Sequence, residues 1–399
     1  MSEETFKEKL KRIGDNLEKM TVDVIYDRRH DLPSRIYGAF LKCLSFIFSA
    51  VVQLRYKLYK NRVFRDTPLG CLVIVVGNLT VGGTGKTPVV EKFARELAAR
   101  GRKVAILSRG YKSKSDSLLT KFWRWLSHGE SPKPKVVSDG KRILLNSELA
   151  GDEPYMLAKN LPGVVVVVDK NRVKAGNFAI EEFGVDTLIL DDGFQYLPLR
   201  GQMQLLLVDK TNPFGNKSLL PRGILREPIK HLKRASYIFL TKSDGNRDLA
   251  LENFIRRYNP SAEFIECAHC SKHLVNFATQ QVLPIEFLNG KRVAYFCAIA
   301  APESFRKFLH QADSDIVHYE HFLDHHRFTT EELDEFFEEA YASGAELVMT
   351  TEKDAVRIDP NYKTKLPFYY TRLEIEILSG DGDFSAAVER ICGFTSDIK

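Results

Sequence analysis

The chain has 399 residues, of which 44% are hydrophobic and 28% are charged, and its formal net charge is +6. This length allows two domains of ordinary size, and the composition is typical of a soluble globular protein. The mild positive charge suits an acidic substrate or an anionic membrane surface, but it is too weak to indicate a nucleic-acid partner. Six cysteines do not suggest a disulfide framework, so we expect a reducing compartment. The first 35 residues are highly charged, unlike a secretory signal.

Residues 1–65 are predicted to form an extension that ends in an apolar helix. The helical stretch Tyr37–Tyr56 has an uncharged run that is shorter than the roughly 20 residues needed to span a bilayer. Cations border the run on both sides: Lys42, and then Arg55, Lys57, Lys60, Arg62 and Arg65. An apolar helix with such borders is typical of a segment that lies in a membrane interface. The same pattern also suits a helix that packs domains together.

A glycine-rich loop follows the apolar run Cys71–Val76 and precedes a helical pattern over Pro88–Arg100. Strand, glycine loop, Lys-Thr and helix, in that order, form a phosphate-binding P-loop. The predicted nucleotide-binding residues are Thr80, Val81, Gly82, Gly83, Thr84, Gly85, Lys86 and Thr87. Lys86 is expected to reach the β- and γ-phosphates, and Thr87 to ligate Mg²⁺. Thr80 stands where the strict pattern has glycine, so Gly82 and Gly83 are expected to supply the needed freedom. A glycine-rich turn without function is the alternative.

Apolar runs alternate with helical patterns over residues 66–246. These runs are short and continuous, as expected for parallel strands covered on both faces. They are Val104–Leu107, Val164–Val168, Thr187–Leu190, Leu205–Val208 and Tyr237–Leu240. The pattern predicts a P-loop domain with a doubly wound parallel sheet, whose functional residues gather at the carboxyl ends of the strands. Residues 247–291 are predicted to be linker strands, and residues 292–399 a second, smaller α/β domain. Its predicted strands are Val293–Cys297, Glu346–Thr350 and Phe368–Ile377.

Two adjacent carboxylates, Asp191 and Asp192, follow the predicted strand Thr187–Leu190. An acidic residue at a strand end downstream of a P-loop is the Walker B arrangement, which holds Mg²⁺ directly or through water. Paired carboxylates also suit a hard dication. An Asp-Gly turn is the alternative, because Gly193 comes next.

A further carboxylate, Asp152, lies in Gly151-Asp152-Glu153-Pro154 at the start of a predicted helix. Alone it suits an N-cap, but a kinase that acts on an alcohol needs a carboxylate base near the γ-phosphate.

Histidines are dense around the segment Phe322–Phe328, which contains His325 and His326 and follows His318 and His321. Three interpretations stay open: a structural metal cluster, a surface loop, and a histidine that polarises a catalytic carboxylate.

Arginines could pair with phosphate oxygens at three strand ends or loops, and these are Arg109, Arg172 and Arg226. Cys267-Ala268-His269-Cys270 resembles a metal knuckle, but no second pair at zinc spacing follows, so a strand or loop is expected.

Thr241–Asp244 resembles the element by which P-loop GTPases read guanine. A membrane-associated P-loop GTPase or ATPase switch is therefore the alternative to a kinase, and a module that only holds nucleotide is a third class.

Taken together, the motifs resemble those of the tetraacyldisaccharide 4′-kinase family, the lipid A 4′-kinases. They occur in the family's order over roughly residues 37–357, most of the chain. The matching stretches are residues 76–88, Ser108–Tyr111, Gly151–Pro154, Asp191–Gln195, Leu219–Gly223, Leu225–Pro228, Phe322–His325 and Thr351–Val356.

The resemblance implies transfer of the ATP γ-phosphate to the 4′-hydroxyl of an acylated glucosamine disaccharide 1-phosphate, with Mg²⁺, at the cytoplasmic face of a bacterial inner membrane. From the sequence we expect no nucleic-acid partner and no obligate protein partner. Carried over residue by residue, Asp152 matches the general base and His325 its partner. Lys86 and Thr87 match the phosphate and Mg²⁺ contacts, and Asp191 and Asp192 the Walker B acids. The remaining active-site positions are Glu153, Arg172, Arg226 and Glu227, with Glu153 expected near the metal.

Tyr196 departs from this pattern, because it follows Asp191–Gln195 where the family usually has histidine. The first thirty-odd residues look like an extension, and Thr241–Asp244 is expected to be a strand-end loop.

Overall fold

A computed structural model describes residues 19–110 and 132–393 of the chain. The strands are β1 (Leu72–Asn78), β2 (Val104–Ser108), β3 (Lys135–Asp139), β4 (Val165–Val168), β5 (Thr187–Leu190), β6 (Met203–Asp209), β7 (Tyr237–Thr241), β8 (Glu263–Asn276), β9 (Val282–Pro284), β10 (Arg292–Cys297), β11 (Asp315–His321), β12 (Leu347–Thr351) and β13 (Phe368–Ser379). The α-helices are α1 (Leu32–Lys60), α2 (Lys86–Ala99), α3 (Ser147–Ala150), α4 (Asp152–Asn160), α5 (Arg172–Phe183), α6 (Leu249–Arg256), α7 (Pro302–Gln311), α8 (Thr330–Ala342), α9 (Glu352–Ala355) and α10 (Asp381–Gly393). Residues 1–18 of the predicted extension and Tyr111 of one motif lie outside the described residues.

The P-loop unit is built on a mostly parallel sheet in the order β3-β4-β2-β5-β1-β6-β7-β8. Strand β1 is buried along its whole length and pairs in parallel with β5 and β6. Its alternate residues enter two different cores, because Ile74 packs with α2 and Val75 packs with α5. Helices on both faces therefore explain the continuous apolar runs, and the predicted doubly wound P-loop fold is confirmed.

Strand β8 joins the two halves of the molecule into one sheet. Residues 263–266 pair in parallel with β7, and residues 266–276 pair antiparallel with β13. The sheet then continues in the order β13-β12-β10-β11, with β9 attached to β8. The predicted linker thus consists of α6, this 14-residue strand and β9.

Beyond β8, the smaller α/β unit has helices on both faces. Phe336 of α8 packs on one face with Phe296 of β10, and Phe305 of α7 packs on the other face with Tyr295. Helix α10 belongs to neither face, because its Phe384 packs against Phe93 of α2 in the core of the P-loop unit. The boundary of 292 therefore stays a prediction, since the chain after it contributes to both cores.

Helix α1 is longer than the segment expected from the sequence and has 29 residues. By length and composition it could cross a membrane, and only 17% of its most apolar window is buried in the protein. A narrow stripe contacts the rest of the molecule through Ser34, Gly38, Leu41 and Ser45. Large apolar side chains are exposed elsewhere along the helix, and they are Leu32, Ile36, Phe40, Leu44, Phe46, Ile47, Val51 and Leu54. Such an exposed apolar surface needs a partner.

Candidate active site

The P-loop runs from the end of β1 at Asn78 to the start of α2 at Lys86. Gly82 and Gly85 have positive φ angles of 109° and 79°, so the backbone takes conformations that favour glycine there. Of the two glycines that were expected to supply the backbone freedom of the loop, only Gly82 has a positive φ; Gly83 does not. Thr80 is buried and its hydroxyl accepts a hydrogen bond from the Asn78 amide at 3.2 Å, which gives the non-glycine residue a structural role.

The loop is held from two sides. On one side, the Val81 amide donates to the Ile224 carbonyl at 2.8 Å. On the other, the Thr241 hydroxyl donates to the Thr84 carbonyl at 2.9 Å, and the His269 ring lies against Gly85. The motifs at Leu219–Pro228 and Thr241–Asp244 therefore both support the P-loop.

Asp192 lies between two cations. Arg226 donates to both carboxylate oxygens, at 2.9 Å from Nη1 and 2.8 Å from Nη2, and Lys86 Nζ is 3.7 Å from Oδ1. Burial raises the pKa of Asp192, but the Arg226 hydrogen bonds and the Lys86 charge outweigh it and bring the pKa to about 2. The carboxylate is thus fully ionised and holds Lys86 at the start of α2.

Asp191 is the more deeply buried of the pair, with 3% exposure. Its Oδ1 atom has no hydrogen-bond partner among the described residues. Burial, and then the charges of Glu153 and Asp192, raise its pKa to about 7. An unpartnered buried carboxylate oxygen beside further acids is unfavourable without a cation, so this donor set fits a hard dication.

Thr87, in the first turn of α2, and Glu153, in the first turn of α4, are only partly exposed. Within the described ranges, no cluster of three or more His, Cys, Asp or Glu side chains could hold a metal unaided. Mg²⁺ in nucleotide sites takes one or two carboxylates and completes its shell with phosphates and water, and Asp191 offers such a carboxylate.

Arg172 opens α5 and is buried. Its guanidinium lies over the Tyr196 ring at 5.1 Å, and its backbone amide donates to the Tyr196 hydroxyl at 3.1 Å. Burial lowers the pKa of Arg172, partly offset by Tyr196 and the two Walker B acids. Tyr196, the departure from the family pattern, therefore supports an arginine that faces the acidic pair. Arg109 is exposed just after the end of β2, and its positive charge also lowers the pKa of Arg172.

Asp152 is the first residue of α4, and the N-cap position belongs to Gly151, which has a φ of 94°. The N-cap interpretation of Asp152 is therefore wrong. The carboxylate instead contacts the second unit, where His325 Nδ1 lies 3.2 Å away and Arg357 Nε 2.9 Å away. Burial raises its pKa, but the hydrogen bond from His325 and the charges of Arg357 and Arg327 outweigh it, so the pKa is lowered.

The histidine-rich segment does not gather its histidines at one point. His326 contacts Glu332 at 3.0 Å, His318 contacts Glu339 at 3.3 Å, and His321 contacts the Tyr295 hydroxyl at 2.9 Å. Only His325 turns to Asp152, with a positive φ of 67° and a backbone amide that donates to the Ala298 carbonyl at 3.2 Å. In the described part of the chain, the metal-cluster interpretation is not supported.

Several expected or weak candidates take structural positions. Glu227 is buried against His231 at 2.6 Å and Arg234 at 2.8 Å. In Thr241–Asp244, Lys242 pairs with Asp209 at 2.6 Å and Asp244 with Lys210 at 3.2 Å. Cys267 and Cys270 are free thiols on β8, where no metal site is found among the described residues. Arg357 was missed by sequence reasoning, since it lies just after the last matching motif and no pattern marks it.

Comparison with known proteins places these features in a family. The family model for tetraacyldisaccharide-1-P 4′-kinase matches residues 37–392. A tetraacyldisaccharide 4′-kinase of Anaeromyxobacter dehalogenans (strain 2CP-C) is 38% identical over 346 residues, 86% of this chain and 87% of that protein. One of Geobacter sulfurreducens is 36% identical over 358 residues, 90% of this chain and 94% of that protein. The crystal structure of LpxK from Aquifex aeolicus in complex with ATP aligns with a TM-score of 0.71 and 28% identity, over 89% of this chain and 99% of that chain. The chain therefore belongs to the tetraacyldisaccharide-1-P 4′-kinase family.

Proposed function

We propose that the protein is an ATP-dependent lipid kinase. It transfers the γ-phosphate of ATP to the 4′-hydroxyl of a tetraacylated glucosamine disaccharide 1-phosphate, a step of lipid A (lipopolysaccharide) biosynthesis. One observation carries the proposal: the first turn of α4 offers an ionised, part-buried Asp152 beside Glu153, whose charge acts on Asp191 of the Walker B pair. A carboxylate base thus stands next to the phosphate-binding apparatus, as transfer to an alcohol requires.

In the proposed reaction, the acceptor oxygen forms a bond to the γ-phosphorus, and the bond from that phosphorus to the β–γ bridging oxygen breaks, so that ADP leaves. Asp152 accepts the hydroxyl proton, and His325 stabilises the protonated pair. Lys86, Arg172 and Arg226 neutralise the charge that develops on the phosphoryl oxygens, because a loose transition state is stabilised chiefly by positioning and electrostatics.

The metal residues proposed from the sequence are Thr87, Asp191, Asp192 and Glu153. A bound Mg²⁺ would neutralise charge on the β- and γ-phosphates. Asp191 offers the unpartnered oxygen for it, while Asp192 is committed to Arg226 and Lys86. The positive charges of Lys86 and Arg172 near both Walker B acids, and that of Arg226 on Asp192, offset part of the cost of burying these carboxylates.

A GTPase switch has less support. Lys242 and Asp244 would have to face a guanine base, yet both form ion pairs inside their own part of the fold. A switch also has no use for the contact between Asp152 and His325 across the two units.

We further propose that the protein binds the cytoplasmic face of the bacterial inner membrane as a peripheral or monotopic protein. The exposed apolar side chains of α1 support this, as do Lys57 and Lys60 in its last turn, which can contact anionic headgroups. The helix is also tied to the site, because the Ser45 hydroxyl donates to the Leu219 carbonyl at 2.7 Å and accepts from the Arg222 amide at 3.0 Å. A lipid acceptor that stays in the bilayer would thereby meet the P-loop.

The test is transfer of ³²P from γ-labelled ATP to a detergent-dispersed acylated glucosamine disaccharide 1-phosphate in the presence of Mg²⁺. The wild type should label the lipid, and Lys86→Ala should not. Label in free phosphate only, or faster turnover of GTP than of ATP, would refute the kinase and favour the switch.

A further inference from the structure

Arg357 is a completely buried charge at the contact between the two units. It follows α9, and its side chain has 0% exposure. Its Nη1 atom donates to Asp354 at 2.8 Å and to the Ala298 carbonyl at 3.2 Å. Asp354 is itself buried and accepts from the Thr351 hydroxyl at 2.6 Å. The smaller unit therefore contains a complete anchor for this guanidinium, which offsets the cost of burying it.

The rest of the guanidinium points out of this anchor to the site. Nε donates to Asp152 Oδ2 at 2.9 Å, and Nη2 lies 3.2 Å from His325 Nδ1. A residue that only filled space in the core would not need these contacts, since an apolar side chain of similar volume could pack there without the cost of burying a charge. One planar group thus touches both members of the pair that the kinase reaction uses.

Guanidinium N–H groups only donate and carboxylate oxygens only accept, so Arg357 donates to Asp152 Oδ2. His325 Nδ1 lies 3.2 Å from Asp152 Oδ2 and 3.2 Å from Arg357 Nη2, so the three side chains are in mutual contact. The guanidinium, held by its anchor in the smaller unit, therefore restrains both the carboxylate and the imidazole.

We propose that Arg357 is a positioning residue of the kinase: from its anchor in the smaller unit it fixes Asp152 and His325 in one geometry. The inference rests on the proposed function of Asp152 as the base. It does not make Arg357 a catalytic residue, because its contacts are with the pair and not with substrate.

Other charged groups also face the pair. Asp324 and Arg327 come from the histidine-rich segment, where Arg327 lies 3.4 Å from Asp152, and Lys353 Nζ of α9 lies 3.5 Å from His325 Nε2. Glu153 is the neighbour on α4 itself. Arg327 has a side chain that is 43% exposed, so water screens it, whereas Arg357 acts from a site without solvent. Removal of Arg357 should therefore disturb the pair more than removal of Arg327.

The experiment compares the full-length wild type with Arg357→Met, Arg357→Lys and Arg102→Met in the labelled-lipid assay. Arg102 is the matched control: it is a buried arginine that contacts Thr187, the first residue of β5, at 2.8 Å and pairs with Asp186 just before that strand. The melting temperature and the KM for ATP are measured for each protein.

For Arg357→Met, kcat should fall about 100-fold, as expected for a misplaced catalytic group, while the KM for ATP changes little. Arg357→Lys keeps the charge but loses the planar set of donors that contacts Asp152 and His325 together, so its kcat should also fall.

Arg102→Met should reproduce any loss of stability but not the fall in kcat. An Arg357→Met variant with wild-type kcat would overturn the inference. If the Met variant does not fold, Arg357→Lys decides, and wild-type kcat in that variant would overturn it equally. Failure of the wild type itself to label lipid would instead refute the proposed function.

Discussion

Gly85 is the position where a single methyl group should disturb the P-loop most. Its φ of 79° lies in the left-handed region, which costs a residue with a side chain about 1–2 kcal/mol. A Cβ atom there would also lie 2.0 Å from His269 Nε2 and 2.3 Å from Cε1, far inside contact distance. Gly85→Ala should therefore lower the free energy of unfolding by more than the backbone cost alone.

The two costs can be separated with variants. Gly101 has a similar φ of 84° but no heavy atom within 4 Å of an added Cβ, so Gly101→Ala measures the backbone cost alone. His269→Ala removes the clashing ring, whose Nε2 has no hydrogen-bond partner among the described residues. The double variant Gly85→Ala/His269→Ala should then be less destabilised than the sum of the single variants, by at least about 1 kcal/mol.

Urea unfolding of the four variants measures these free energies, and calorimetric titration with ATP reports the loop itself. Gly85→Ala should bind ATP at least about 10-fold more weakly, and His269→Ala in the same chain should restore part of the affinity. The reasoning is refuted if Gly85→Ala is no less stable than Gly101→Ala, or if the two substitutions at 85 and 269 are additive.

Two further predictions concern a buried acid and the surface of α1. Burial raises the pKa of Glu352 to about 7, above its ordinary value of 4.5, so the acid favours folding when protonated and loses that contribution as the pH rises from about 4.5 to about 7. Glu352→Gln should therefore be close to the wild type in urea at about pH 4.5 and more stable at pH 8, by at most about 3 kcal/mol; the same stability difference between the two proteins at both pH values would contradict the buried acid. On α1, replacing the exposed residues Phe46, Ile47 and Val51 by serine should lower binding to anionic vesicles at least about 100-fold in a flotation assay, because each large apolar side chain contributes roughly 1.5–3 kcal/mol when buried. Val282→Ser, at an exposed apolar residue of β9, is the control and should bind like the wild type; unchanged flotation of the triple variant would place the membrane contact elsewhere.

Local patterns were sufficient for much of the P-loop unit. The strand–loop–helix around Lys86 and the acids after β5 depend on neighbours in sequence, so short motifs predicted them. The sequence predicted the role of α1 only in part. Which of its apolar side chains are exposed depends on which residues are buried against the rest of the protein, and only the structure shows this.

Contacts between distant segments could not be predicted in the same way. Asp152 and His325 are 173 positions apart, and their contact depends on β8, which joins the two halves of the sheet. Only the resemblance to a family paired them. Arg357 lacked even that support, because its environment is assembled from α4, the histidine-rich segment and the end of β10. The sequence does not reveal that its charge is buried.

The most direct test of the account is single-turnover transfer of ³²P to the lipid acceptor by Asp152→Asn, with ATP affinity measured on the same preparation. If Asp152 is the base, transfer should fall about 10²–10⁴-fold while ATP binds nearly as tightly as to the wild type, since the carboxylate contacts His325 and Arg357 rather than the P-loop. Transfer at the wild-type rate would contradict the account and leave Asp152 as a structural partner of Arg357.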